Sequence, residues 1–365
     1  MTKIKLGATG RRVVRYILRT LLVIVTVAAL LVGGLAVALN LIFNGPSPSA
    51  RDVLTMSLLE ASATKWIPGL FLGQEKVEEI RARIDAPLPE EFSNASQVII
   101  TSTSVDTTGE WEGHPDGIRI ESISGDTYDA HVMIVRDPST VYLATSTDHF
   151  SLSTPGTRIN HQIETEKAIA AVNAGAFNDD GTSNSYVGSL PVGMVVSEGE
   201  IVWDDGQNYE GFVGFNEDNV LVVANSMDAK RAKELKIRDG CCFGPVLLMN
   251  GVVNQVEYSA NSGYNPRTAI GQRADGAIIF VCIDGRQVGS LGGTYSDLIN
   301  IMVEYGAVNA CNLDGGSSSV MLYRDSQGLY GEAGEVVMVN SYSLLQKDPR
   351  RMPTFFMVKA PESEG

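Results

Sequence analysis

A chain of 365 residues with 44% hydrophobic and 19% charged content has the composition of a globular protein and can bury one large core or two ordinary ones. Its charge is uneven: six of the 28 basic residues fall within residues 1–43, which hold no acidic residue. The other 22 face 43 carboxylates, a net of −21 that excludes non-specific nucleic-acid binding by that part of the chain.

From Thr20 to Phe43 the chain runs 24 residues without a charge. That is enough to cross a hydrocarbon core of about 30 Å at about 1.5 Å per residue, so it reads as a transmembrane anchor (20–43) behind a basic tail (1–19). A cleavable signal peptide is the competing reading. Such peptides carry only about 7–15 apolar residues, however, and Ala36-Val37-Ala38 is followed here by further apolar residues. The basic flank precedes the helix, so the N-terminus is expected in the cytoplasm and residues 44 onward outside, as in a single-pass protein of the cell membrane.

Residues 44–94 read as a linker and helical stalk. Asn44 to Ala50 is rich in breakers. Val53, Leu54, Leu58 and Ala61 recur at helical spacing, which suits a helix on the bilayer surface and equally one packed on the main domain. Residues 73–85 read as a charged surface helix.

The main domain is assigned to residues 95–365, where short strands take over. HVMIVRD and VYLATS flank an Asp137-Pro138-Ser139-Thr140 turn, and a helix or loop from Ile163 runs into a buried strand ending near Asn173. Hairpins are expected at Glu198-Gly199, Glu217 to Asn219, Asn250-Gly251 and Asp275-Gly276, residues that tolerate the positive φ of a tight turn. One helix interrupts them. Thr294 and Asp297 have capping-box spacing, Leu298, Ile301, Met302 and Tyr305 share a face, and Gly306 is the stop. No repeat of solenoid period is present. The expected fold class is mixed α/β of the α+β type, β-rich and mostly antiparallel.

The cysteines, Cys241, Cys242, Cys282 and Cys311, show no C-x-x-C spacing, so neither a zinc ribbon nor a thioredoxin-like motif is supported. They read as buried thiols in strands, ahead of a Cys282–Cys311 bridge between neighbouring strands outside the cell. His114, His131, His149 and His161 are too widely spaced for a local metal site and read as structural or surface residues.

Three apolar strands end in a polar residue near glycine: Asn173, Asp284 and Asp314. If their ends converge, two carboxylates meet in one cleft, the minimum for general acid and base work. Arg267 and Arg286 lie beside the same strand ends, and guanidinium groups hold phosphate or carboxylate bidentately. The Gly315-Gly316-Ser317-Ser318-Ser319 turn offers consecutive N–H groups to an anion. It is neither a Walker loop nor a dinucleotide fingerprint, and its serines read as turn and ligand contacts ahead of nucleophiles.

VNAGAF, PVGMVVSEGEIV, GPVLLMNG, PRTAIGQRADGAIIFVCIDGR, GTYSDLINIMVEYGA and NLDGGSSSVM, in this order, resemble the phosphodiester glycosidase family. The resemblance implies a hydrolase that cleaves between a sugar's anomeric carbon and a phosphodiester oxygen. The family's Asn-Gly-Gly-Phe-Phe is matched here by Asn173, Gly175 and Phe177, with Ala174 and Ala176 departing. Its Asn-Leu-Asp-Gly-Gly-Gly-Ser-Ser is matched from Asn312 to Ser319, with Ser317 in place of the third glycine. The expected roles are Asp284 and Asp314 as base, nucleophile or oxocarbenium stabiliser, and Arg267 and Arg286 on the phosphate. Asn173, Gly175, Asn312, Gly315, Gly316, Ser317 and Ser318 would line the sugar and the leaving oxygen. No cofactor is required by this reading, although a Ca²⁺ or Mg²⁺ ion at the Asp and Asn strand ends is left open. The expected partners are a glycan phosphodiester such as teichoic acid or an exopolysaccharide, and the membrane; oligomeric state is open. A non-catalytic envelope glycan-binding or assembly protein, or an enzyme cutting the P–O bond, would use the same residues.

Overall fold

A computed structural model describes residues 8–360 apart from 46–50, 52–53, 56–57, 60–63, 85–90, 105, 107, 179–186, 208, 210, 255–261, 326–327, 329–330 and 343–347. Helix α1 (Ala8–Phe43) contains a span, Leu18–Phe43, long and apolar enough to cross a membrane. Its side chains are mostly exposed, but Phe43 is buried and stacks on Phe71 of α2 (Ile67–Leu72) with ring centroids 5.2 Å apart. The charged helix α3 (Gln74–Ile84) follows. Of the expected stalk face, Val53 and Ala61 lie outside the described residues.

The β-rich domain is built on three larger sheets. The first runs in spatial order Ile118–Ser124 (β1), Asp129–Val135 (β2), Ile278–Ile283 (β14), Arg267–Arg273 (β13), Ala307–Leu313 (β15), Val246–Met249 (β11) and Val252–Val253 (β12). The second is Glu200–Asp204 (β7), Met194–Ser197 (β6), Ile237–Cys242 (β10), Phe212–Asn216 (β8) and Leu221–Ala224 (β9). The third is Val336–Met338 (β17), Met321–Arg324 (β16), Ala170–Asn173 (β5), Thr354–Val358 (β19) and Val141–Thr145 (β3); a short pair joins Thr157–Arg158 (β4) to Arg351–Met352 (β18). The ladders among the described residues are antiparallel, as the hairpin turns require.

In its central strands the first sheet is buried on both faces because both are covered. Met133, Ile270 and Phe280 enter a central core that the other two sheets complete with Phe215, Val223, Val172 and Phe356. Val132, Ala269 and Val281 point the other way, onto Leu298, Ile301 and Met302 of helix α6 (Tyr295–Glu304); α4 (Ile159–Thr165) and α5 (Ala229–Glu234) are peripheral. Side chains alternate across a strand, so a sheet buried twice has no polar rhythm. Each large side chain so buried contributes about 1.5–3 kcal/mol.

Hairpins form where turn residues called for them. Glu198, Asn219 and Asn250 take positive φ (53°, 62° and 54°), as does Gly276 (101°). The Asp137–Thr140 turn is different: Asp137 caps it, accepting from Ser139 N (2.9 Å), and it carries the chain from β2 in the first sheet to β3 in the third. The four thiols are buried, as the preferred reading had them, and the alternative Cys282–Cys311 bridge does not form. β13 lies between β14 and β15, which separates their backbones by about 9–10 Å, beyond the reach of a disulfide; all four cysteines are free and buried.

Strand directions define two poles. Arg267, Ile283 and Leu313 lie at one end of the first sheet, and Arg273, Ile278 and Ala307 at the other. The chain arriving from the stalk docks at the second pole: Asn94 N donates to Asn250 Oδ1 (2.7 Å), Ile99 N to Ala274 O (2.9 Å) and Ser102 N to Asp275 O (2.9 Å). A cavity of about 560 Å³, lined by Glu91, Phe92, Asn94, Asn216 and Leu235 among others, lies beside this docked segment.

Candidate active site

At the first pole, β15 delivers Asp314 one residue beyond the Thr268–Leu313 pair. The turn that follows is bound tightly to the loop before β13: Gly316 N donates to Pro266 O (2.8 Å), and a Cβ on Gly315 would meet that same oxygen at 2.9 Å. Gly316 has φ 62° and carries no side chain where the Arg286 guanidinium passes, 3.6 Å from the position of a Cβ. Glycine is demanded at the first place by crowding against backbone and at the second by backbone sign.

Asp314 is half-buried. Its Oδ1 accepts from Gly315 N (2.9 Å), its N–H donates to Ala174 O (3.0 Å), and its carbonyl accepts from Asn173 Nδ2 (2.6 Å). Arg286 is exposed, stands at φ 58°, and donates from Nη2 to Asn265 Oδ1 (3.1 Å). A non-glycine residue in the left-handed region costs about 1 kcal/mol, a strain that recurs at ligand clamps. Ser317 is exposed; its carbonyl accepts from the Tyr342 hydroxyl (2.6 Å) and its Oγ from Arg350 Nη1 (3.3 Å). These groups meet on one turn.

Other expected site residues stand beneath the turn and support it. Asn173 is fully buried: Oδ1 accepts from Thr268 Oγ1 (2.8 Å) and Val320 N (3.1 Å) while Nδ2 holds Asp314. It braces the carboxylate's backbone instead of facing a sugar. Gly175 donates to Thr354 Oγ1 (3.1 Å), and a Cβ there would lie 2.9 Å from the Cys241 Cβ, so it is a packing glycine. Asn312 is buried and donates from Nδ2 to Gly244 O (2.9 Å). The buried Ser318 closes the turn, N to Gly315 O (3.0 Å).

The expected phosphate role of Arg267 is corrected. Its side chain is buried and turned into the protein, with Nε donating to Gly293 O (2.7 Å), Nη2 to Ser262 O (3.1 Å) and Gly263 O (3.0 Å), and the guanidinium 4.0 Å from the Tyr295 ring centroid. Its stacked, carbonyl-bound guanidinium locks the start of α6 to β13.

Asp284 is separated from Asp314 in the sheet by β13 and is 4% exposed. Its two oxygens accept from Ser341 N (3.0 and 3.2 Å), and Oδ2 lies 3.6 Å from His131 Nε2, whose Nδ1 is 3.0 Å from Ser122 Oγ. The carboxylate ties the Arg286 loop to the segment carrying Tyr342. Burial raises the Tyr342 phenol above its ordinary value, opposed by the Arg350 N–H and the charges of Arg350 and Arg158, and reinforced by Asp314. Sequence reasoning missed Tyr342, Arg350 and Asn265. Among the described residues no group of three His, Cys, Asp or Glu side chains forms a metal cluster.

The architecture is therefore a mixed, mostly antiparallel α+β domain whose candidate site combines a strand-end carboxylate, a two-glycine turn and guanidinium groups. The model of the family described as phosphodiester glycosidase matches residues 166–359, and the chain belongs to that family. It is 27% identical over 191 residues to the SPbeta prophage-derived uncharacterized protein YomE of Bacillus subtilis (strain 168), a match covering 50% of this chain and 27% of that protein. The chain thus spans about a quarter of the length of this curated relative. Among solved structures it is similar to the zebrafish N-acetylglucosamine-1-phosphodiester alpha-N-acetylglucosaminidase catalytic domain, auto-inhibited by its pro-peptide. That likeness has a TM-score of 0.50 at 20% identity, covers 67% of this chain and 82% of that one, and speaks for the fold.

Proposed function

We propose that the chain is a membrane-anchored glycosidase that hydrolyses the bond between a sugar's anomeric carbon and a phosphodiester oxygen in an envelope glycan, with its N-terminus in the cytoplasm and its β-rich domain outside. The observation that carries this reading is the meeting of the Asp314 carboxylate and the Arg286 guanidinium on the Gly315–Ser317 turn. A phosphodiester departs as a stable anion, so the reaction depends less on a general acid than ordinary glycoside hydrolysis does. It needs a cation on the leaving phosphate, supplied by Arg286, and a carboxylate at the sugar, supplied by Asp314. Asn173 holds Asp314 in register for that task, and Asp284 fixes the loop that presents Arg286. Teichoic acid or a phosphodiester-linked exopolysaccharide is the proposed substrate class.

The test is release of free sugar from an α-N-acetylglucosamine-1-phosphodiester and from teichoic acid in ¹⁸O-water, beside Asp314→Asn. Turnover with label in the sugar, lost in a folded variant, supports C–O cleavage by this site; label in the phosphate would move the reaction to the P–O bond. The burial of Asp284 favours one rival, a non-catalytic glycan-binding protein. Saturable glycan binding without turnover would establish it.

A further inference from the structure

Arg350 reaches the candidate site from the far end of the sequence. Its backbone N–H donates to the Tyr342 hydroxyl (3.1 Å), which donates in turn to Ser317 O (2.6 Å), while Nη1 donates to Ser317 Oγ (3.3 Å). The guanidinium carbon lies 4.7 Å from the Phe177 ring centroid, and the preceding carbonyl, that of Pro349, accepts from Arg158. Main chain and side chain are both held, so this half-buried arginine has surrendered much of its rotamer freedom before any ligand arrives. A guanidinium covered on its face by a ring directs its donors outward in its own plane, the geometry that phosphate oxygens accept.

Arg286 comes to the neighbouring residue of the same turn from a different loop, on a positive-φ backbone, its guanidinium 3.6 Å from where a Cβ of Gly316 would stand. The hydroxyl that Arg350 grips belongs to Ser317, the position where the sequence departs from the family's third glycine. We infer that Arg286 and Arg350 form a two-guanidinium clamp over Gly316–Ser317, in which Arg350 is a specificity residue selecting an anionic diester leaving group over a neutral one. The inference rests on the glycosidase reading above and extends it to the leaving group. It also reconciles a strongly acidic chain with an anionic substrate, because two cations at the site act at close range where the global field is screened.

The test uses the full chain in detergent micelles, as wild type, Arg350→Ala and Arg350→Lys, on two substrates sharing one sugar. These are an α-N-acetylglucosamine-1-phosphodiester and the neutral 4-nitrophenyl α-N-acetylglucosaminide. Arg350→Ala is expected to raise KM for the diester about tenfold or more while changing the neutral glycoside less than about twofold, with Lys recovering part of the loss. Equal losses on both substrates would make Arg350 a structural brace and overturn the clamp. Where the wild type fails to turn over either substrate, the glycosidase reading is what falters, and the clamp is read separately by calorimetric titration with dimethyl phosphate. Saturable binding weakened about tenfold in Arg350→Ala supports the clamp; equal binding in the two proteins, or none in the wild type, overturns it.

Discussion

Asn173 shows how a single amide can set the position of a carboxylate on the neighbouring sheet. Its three hydrogen bonds join β5, β13 and the β15 turn, so Asn173→Ala leaves a buried hydroxyl, a backbone N–H and a carbonyl unmatched. A loss of about 2–4 kcal/mol is expected, read from thermal unfolding of the solubilised chain, together with a fall in turnover as Asp314 loosens. Asp106 offers a second test, away from the site. It accepts from Thr108 N, Gly109 N and Trp111 N (3.0, 2.9 and 2.8 Å), and chiefly the Trp111 bond lowers its carboxyl to about 2. A depressed folded value means that the contribution to stability is present above the ordinary value of 3.8 and disappears as pH falls through about 2. Trp111 fluorescence should therefore hold steady through pH 4 and respond only near the lower figure; a midpoint near 4 would refute the assignment. At this scale the sequence pointed to the Asp314 turn and to Arg286 because both are local: an aspartate, two glycines, an arginine two residues beyond Asp284. Arg350 and Tyr342 gave no such signal, since chain closure brings them to Ser317 from 33 and 25 residues away. Arg267 looked like a cleft cation because nothing in its neighbours announces the carbonyls of Ser262, Gly263 and Gly293 that enclose it.

Hairpins and one helix were the elements most open to reading, each carrying its own chemistry. The Thr294 hydroxyl accepts from Asp297 N (3.2 Å) and Asp297 Oδ2 accepts from Thr294 N (2.7 Å), a complete capping box whose removal in Thr294→Ala should cost about 1 kcal/mol in urea unfolding. The order of strands was not open to reading in this way. β3 pairs with β19, more than 200 residues later in the chain, and no local pattern encodes a pairing made by burial of Phe355 and Phe356. Strand order is also what separates the buried-thiol reading from the Cys282–Cys311 alternative: β14 and β15 are both apolar strands, but β13 intervenes. Burial pushes the thiols of Cys241, Cys282 and Cys311 well up and that of Cys242 to about 11. Ellman's reagent at pH 8 should find no fast thiol in the native chain and four after unfolding; rapid labelling of the native protein would contradict this packing.

For the molecule as a whole, the entry point of the chain and the candidate site lie at opposite ends of the first sheet. The linker settles beside Asn250 and Asp275, whereas Asp314 and Arg286 stand at the ends of β15 and β14. Strands of six or seven residues at about 3.4 Å each separate the two by about 20 Å. The proposed topology makes a direct prediction: protease added to intact cells should digest the domain and spare the N-terminal segment, and domain protection until lysis would reverse the orientation. If α1 does fix the chain in a bilayer, the fold acts as a stand-off. The candidate site would then open away from its own mooring, and on the proposed function a sugar phosphate still seated in the neighbouring lipid leaflet would have to bend back around the whole domain to reach it.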